Sequence, residues 1–263
     1  MRVGLFVPCY VDQFYPRAGV AAVRVLRRLG AGRIQLDYPA AGPACCGQPM
    51  ANAGLPDKSR NLARQFLATY GKAGPDGYDA VVCPSGSCTS MVRNHYDALL
   101  DGEPGFEELK AKTYEFCEFL TDVLRVDPPA GSFPKTVGLH PGCHGLRELR
   151  LGSGSERRVA AFDKVRGLLA NLDGLTFAEP DRPDECCGFG GTFAVNEEAV
   201  SVMMGRDKVA DHKRAGAEIL VSADVSCLMH LEGVLRRQHD DTPVMHVAEV
   251  LWAGMGGSGG API

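Results

Sequence analysis

Two Cys-Cys-Gly triplets, Cys45-Cys46-Gly47 and Cys186-Cys187-Gly188, constrain this chain more than any other feature. Neighbouring side chains point to opposite faces of a strand and diverge around a helix, so two adjacent thiols meet one centre only from an irregular turn. A glycine beside the pair supplies the backbone freedom such a turn needs. Other cysteines fall around the triplets in two sets. Between Cys9 and the first pair lie 35 residues, and 41 more separate that pair from Cys88. Between Cys143 and the second pair lie 42 residues, and 39 separate it from Cys227. This is the spacing of a tandem duplication. It gathers Cys9, Cys45, Cys46 and Cys88 into one candidate site and Cys143, Cys186, Cys187 and Cys227 into another.

The residues between the cysteines repeat as well. An apolar, strand-like run leads to the first cysteine of each half, RVGLFVPC at 2–9 and KTVGLHPGC at 135–143. The first half continues with helical periodicity over 19–30, a strand over 33–39, the pair, a helix over 59–71 and a strand over 78–84. The second continues with a helix over 155–172, a strand over 175–180, the pair, a helix over 196–216 and a strand over 217–223. Strands alternating with helices predict an α/β fold of two pseudo-repeated lobes, each a mainly parallel sheet flanked by helices. Proline and glycine in RVDPPAGSFPK, 125–135, punctuate the boundary. The expected organisation is therefore a first cysteine-rich lobe over 1–128, a second over 135–252 and a disordered tail over 253–263. All eight cysteines sit where strands end or helices begin, and open α/β sheets bind ligands at the carboxyl ends of their strands.

What the thiols do depends on the compartment. The N-terminal apolar run meets Pro8 too soon for a secretory segment. No stretch approaches the roughly 20 apolar residues of a membrane span. The expected location is cytoplasmic, where clustered cysteines bind metal or act in catalysis more often than they form disulfides. With 28 basic and 32 acidic residues and a net charge of -4, the chain has no electrostatic footprint for nucleic acid or anionic lipid. Four thiolates suit an iron-sulfur cluster and also suit zinc. Cys117, within the helical pattern of 113–124, reads as buried core, as do Met203, Met204 and Met229. His140 and His144 flank Cys143 and are expected to support the site or the structure rather than to bind metal. The glycines of 152–157 neither follow a strand nor complete a dinucleotide fingerprint.

The whole pattern resembles the cysteine-rich, or CCG, domain proteins, in which a cysteine, a distant Cys-Cys-Gly and a Cys-x-x-Cys recur, usually twice. PSGSCTSMV at 84–92, HPGCHGLREL at 140–149, CCGFGGTF at 186–193 and DVSCLMH at 224–230 are similar to the lactate-utilisation A branch of that family. Relatives of that branch include the iron-sulfur subunits of glycolate oxidase and anaerobic glycerol-3-phosphate dehydrogenase, and the B subunit of heterodisulfide reductase. Where the full motif has Cys-x-x-Cys, this chain has Ser85-x-x-Cys88 and Asp224-x-x-Cys227, one thiolate fewer per repeat. Cys83 is a candidate fifth ligand of the first set. The resemblance implies that the eight cysteines hold iron-sulfur centres, with [4Fe-4S] as the expected type and zinc as an alternative occupant of one site. It also implies an electron-transfer subunit of an oxidoreductase complex that oxidises L-lactate or another 2-hydroxy acid. No organic-cofactor site is visible in the sequence, so the chain is expected to be inactive alone and to work with a ferredoxin-like iron-sulfur protein and a third subunit. A thiol-disulfide reductase subunit and a zinc-bound structural adaptor are the alternative functions.

Overall fold

The computed structural model describes residues 1–39, 42–72 and 76–257. It divides into two compact units, Met1–Leu124 and Arg125–Ile263. The first is built on strands β1 (Arg2–Leu5), β2 (Gln35–Asp37), β3 (Ala80–Cys83) and β4 (Thr113–Glu115), arranged β2-β1-β3-β4 with every pairing parallel. Strand β3 is buried at all its residues, as expected of a parallel strand covered on both faces. The helix Pro16–Leu29 starts on a proline, whose missing N–H costs nothing at a first helical position, and buries Ala18, Ala21, Ala22, Val25 and Leu26. Those positions recur at the spacing of one helical face. A second helix, Pro56–Tyr70, carries Phe66 and Tyr70 into the core. There the Phe6 and Phe66 rings meet edge to face at 4.9 Å, and the Tyr70 hydroxyl donates to the Leu5 carbonyl at 3.0 Å. Cys46, Cys83 and Cys88 belong to this same apolar cluster.

The second unit contains β5 (Gly131–Ser132), β6 (Thr136–His140), β7 (Leu172–Asp173), β8 (Thr176–Phe177), β9 (Ile219–Ser222) and β10 (Val244–His246). Strands β5 and β7 form a small parallel pair, and the main parallel sheet runs β10-β9-β6-β8. Read from β8, this is the order of the first sheet. The topology is duplicated along with the cysteines.

The duplication also extends beyond the elements legible in the sequence. Strand β4 passes directly into a helical turn, Phe116–Glu118, and β10 directly into the helix Val247–Gly254, each through a capping box. The Glu115 carboxylate accepts from the Cys117 and Glu118 N–H groups while Glu118 accepts from the Glu115 N–H; His246 and Glu249 repeat the exchange. The span 113–124, helical by its periodicity, is thus a strand, one helical turn and a π-helical turn over Phe119–Val123. The helix expected over 155–172 is confined to Lys164–Leu169, because Asp163 caps its start by accepting from the Val165 and Arg166 N–H groups. Met203, expected in the core, is 64% exposed. The inward face of its helix, Glu198–Arg214, is occupied instead by Ser201, Gly205, Lys208 and His212. Ala253 and Gly254, placed in the disordered tail by the sequence, close the last helix, and 258–263 lie outside the described residues. Among the described residues no helix is long and apolar enough to cross a membrane.

The aromatic core gives a direct test of what holds the first sheet. Phe66 is fully buried and touches Phe6, Tyr70 and Tyr96. Phe66→Ala is expected to cost about 3–5 kcal/mol of unfolding free energy, measured by urea denaturation.

Candidate metal centres

In the first unit the parallel sheet delivers four thiols from the carboxyl ends of three strands. Chain leaving β1 passes Pro8, whose extended backbone caps the helix Cys9–Phe14, so Cys9 is that helix's first residue. Cys45 and Cys46 lie after β2, immediately before Gly47. Cys88 stands in the first turn of the helix Gly86–Ser90, which follows β3. The Cys9 and Cys45 sulfurs are 3.8 Å apart and those of Cys46 and Cys88 are 3.4 Å apart. Cys83, at the end of β3, is buried with its thiol in contact with Cys88. Cys117 is fully buried at the start of the turn after β4.

The second unit repeats the construction. Cys143 follows β6 and opens a π-helical turn, His144–Glu148; Cys186 and Cys187 precede Gly188; Cys227 sits in the first turn of the helix Val225–Arg237, after β9. Their thiols form a chain of contacts, Cys143 to Cys186, Cys186 to Cys187 and Cys187 to Cys227. Asp224, standing where the longer motif has cysteine, caps that helix by accepting from the Ser226 N–H at 2.9 Å. The fold thus brings together the four cysteines of each set. His144 is half-buried beside Cys143. His140 is buried, and one of its ring nitrogens lies within 4.8 Å of the Cys187 and Cys227 sulfurs. Burial, reinforced by the nearby Lys208 and His212 charges, holds the pKa of His140 down at about 3, which keeps its imidazole neutral.

The glycine after each pair is essential to the turn. Gly47 has φ of 85° and Gly188 of 93°, left-handed values that favour glycine. A Cβ on Gly47 would meet the Ser59 hydroxyl at 2.9 Å, and one on Gly188 would meet the Ser201 carbonyl at 2.6 Å. Those serines also hold the turn: Ser59 donates to the Gly47 carbonyl at 3.0 Å and Ser201 to the Gly188 carbonyl at 2.8 Å. Tyr96 donates to the Cys46 carbonyl at 2.8 Å. Ahead of the second pair, the buried Lys208 ammonium donates to the Arg182 and Pro183 carbonyls while the Asp211 carboxylate accepts from the Asp181 and Arg182 N–H groups. None of these supporting residues was marked by a motif. Ser59 and Ser201 are recoverable only by noticing that a serine follows each Cys-Cys-Gly glycine by 12 or 13 positions.

The electrostatics distinguish the two members of each pair. Contact with the Cys46 and Cys9 thiols, helped by the Gly47 N–H, pulls the pKa of Cys45 down to about 3. Contact with Cys143 and Cys187, helped by the Gly188 N–H, pulls that of Cys186 to about 2. The neighbouring Cys9, Cys46, Cys143 and Cys187 are pushed up, first by these same contacts and then by burial. Each set therefore holds one thiolate cradled by S–H and N–H donors. Such a donor set suits a soft metal, whose binding displaces the remaining thiol protons.

The arrangement has counterparts among known proteins. The cysteine-rich domain model matches the chain twice, over residues 3–93 and 137–232. The chain is 38% identical over 257 residues to Lactate utilization protein A of Exiguobacterium sp., covering 97% of this chain and 98% of that one. It is 36% identical over 255 residues to the protein of the same name from Bacillus licheniformis, covering 95% and 99%. The chain belongs to the lactate utilization protein A family of cysteine-rich domain proteins. Among solved structures, a hypothetical protein from Helicobacter pylori shares the α/β fold, with a TM-score of 0.56 at 9% identity. That match covers 98% of this chain, which spans about half (49%) of the other. Each cysteine-rich segment encloses one complete four-cysteine set and stops short of β4 or β10, so in this member of the lactate utilization protein A family the structural repeat is longer than the matched one.

The glycine geometry predicts a contrast between two alanine substitutions. Gly188→Ala is expected to destabilise the chain by at least about 1–2 kcal/mol through the left-handed backbone alone, and to lower its metal content. Gly233→Ala, in the middle of the helix Val225–Arg237 with open space where its Cβ would go, is expected to stabilise by roughly 0.5–1 kcal/mol. Thermal unfolding and metal analysis of both variants provide the check.

Proposed function

We propose that each four-cysteine set holds an iron-sulfur cluster, [4Fe-4S] in type, and that the chain relays electrons as a subunit of an L-lactate oxidising system. The observation that carries this reading is the convergence of four thiols at the carboxyl ends of a parallel sheet, twice in one chain. Relatives named Lactate utilization protein A, matched over nearly their full length, support the substrate assignment. When bound, such clusters accept and release single electrons. The chain's own part is to bind and tune. Cys9, Cys45, Cys46 and Cys88 ligate in the first unit, and Cys143, Cys186, Cys187 and Cys227 in the second. The Gly47 and Gly188 N–H groups, 3.3 and 3.4 Å from the Cys45 and Cys186 sulfurs, stabilise the more negative, reduced state. Phe6, Phe66 and Tyr96, packed in the cluster that contains Cys46 and Cys88, keep water from one side of the first set. Hydride or proton-coupled oxidation of lactate is assigned to companion subunits, a ferredoxin-like iron-sulfur protein and a third component, in the cytoplasm.

One observation favours a second reading, a single tetrahedral ion such as zinc at a site. Two thiolates on one such ion at about 2.3 Å are separated by roughly 3.8 Å, close to the 3.8 and 3.4 Å of the first unit. A four-iron cluster takes one thiolate per iron, so the pairs must part to receive it.

Metal analysis after anaerobic purification separates the readings. Iron with acid-labile sulfide is expected; zinc at full occupancy without sulfide would overturn the cluster assignment. Cys46→Ser and Cys187→Ser are expected to lose metal from their own sets, whereas Cys117→Ser keeps the content unchanged. For the electron relay, lactate-dependent reduction of an acceptor is compared for the isolated chain, the companion subunits without it and the full set. Only the full set is expected to turn over, and Cys45→Ser or Cys186→Ser to abolish that turnover. Turnover by the isolated chain, or full activity without it, would refute the assigned role.

A further inference from the structure

We propose that His140 supplies a nitrogen ligand to the metal held by the second cysteine set, making that centre a mixed nitrogen-sulfur site where the first unit's is all sulfur. The inference rests on the reading that this set binds metal. A single tetrahedral ion takes four donors, so there the imidazole stands in place of one of the four thiolates, a ligand that neither the cysteine motif nor the spacing of the sets includes.

Three independent observations carry it. First, one His140 ring nitrogen and the sulfurs of Cys187 and Cys227 all lie within 4.8 Å of one another, about 1 Å wider than two ligands of a single tetrahedral ion. Second, His140 is 1% exposed, and neither of its ring nitrogens has a hydrogen-bond partner. A buried polar group left unsatisfied is unfavourable, and ligation would satisfy one of the two nitrogens. Lys208 does not do so: its ammonium donates to the Arg182 and Pro183 carbonyls and makes no hydrogen bond to the ring. Third, the duplicated fold supplies an internal comparison. Leu5 pairs with Val82 and Leu139 with Val221, which places His140 at the position Phe6 holds in the first unit. Phe6 uses that position for the core, packed edge to face on Phe66 at 4.9 Å. The second unit sends an imidazole to the thiols instead.

Cobalt(II) added to the full chain, reduced and metal-free, is the probe. Pulsed electron paramagnetic resonance with 14N- and 15N-histidine protein is expected to show one directly bound imidazole nitrogen. His140→Phe, which installs the first unit's residue, is expected to abolish that coupling and to weaken cobalt at one of the two sites by at least about tenfold, leaving the other unchanged. His144→Gln is expected to retain the coupling. Should His140→Phe fail to fold, His140→Cys keeps a soft ligand in place and is expected to bind cobalt without the nitrogen coupling. Cobalt bound to the second set with no directly bound nitrogen, or with a coupling that survives His140 replacement, overturns this inference alone. No cobalt uptake by the second set overturns it together with the metal-binding reading.

Discussion

Two thiols on consecutive residues can face one point only where the backbone leaves regular structure, and that requirement shapes both units. The turn is set by a glycine in the left-handed region and locked by a serine from the following long helix, Ser59 to Gly47 and Ser201 to Gly188. Because the serine lies on the inward face of its helix, the helix is fixed in rotation as well as position. In the second unit that inward face also carries Gly205, into whose empty side-chain space the His230 ring and Val234 fit, and Lys208, which clamps the loop ahead of the pair. Met203, two positions past Ser201, falls on the outward side of that helix and is left exposed.

The cysteine sets were legible in the sequence because their spacing repeats, and β1, β3, β6 and β9 because apolar runs precede or separate the cysteines. What escaped is equally physical. Strands β4 and β10 are only three residues long and run into helices through capping boxes, so Glu115 and Glu118 read as parts of one helical pattern, and β10 is too short an apolar run to stand out. The helix expected over 155–172 failed in the opposite direction. Its apolar periodicity included Val159 and Phe162, which are 47% and 42% exposed, upstream of the Asp163 cap that starts the real helix. Serines that lock a turn carry no periodic signal at all.

Around the two cysteine sets the units keep the same strand order and differ in the side chains at the strand ends. By strand register, Phe6 corresponds to His140, Cys83 to Ser222 and Glu115 to His246, and the capping residue Ser85 corresponds to Asp224. In the first unit the extra soft donor near the fourth cysteine is the Cys83 thiol on β3; in the second it is the His140 imidazole on β6. The same scaffold therefore places an extra donor atom at the end of a parallel strand in each copy, with different charge. Carboxyl ends of parallel strands are suited to this, since their last side chains clear the sheet and can change without disturbing the ladder.

That exchange has a consequence for electron flow under the proposed reading. A neutral imidazole in place of a thiolate makes a centre less negative and raises its potential, whereas a carboxylate nearby acts in the opposite sense. The second unit combines both, His140 toward Cys187 and Cys227, and Asp224 at the cap of the helix that carries Cys227, where its charge adds to burial in pushing the Cys227 thiol up against the lowering contact with Cys187. The first unit has no imidazole there, since Phe6 presents only a ring to the core, and Ser85 is uncharged; its nearby carboxylate is Glu115, whose charge acts on the Cys83 thiol beside Cys88. With the Gly47 and Gly188 donors nearly matched in distance, the difference in potential between the two centres is set by the strand-end side chains, His140 and Asp224 in one unit against Cys83 and Glu115 in the other, rather than by the duplicated cysteines.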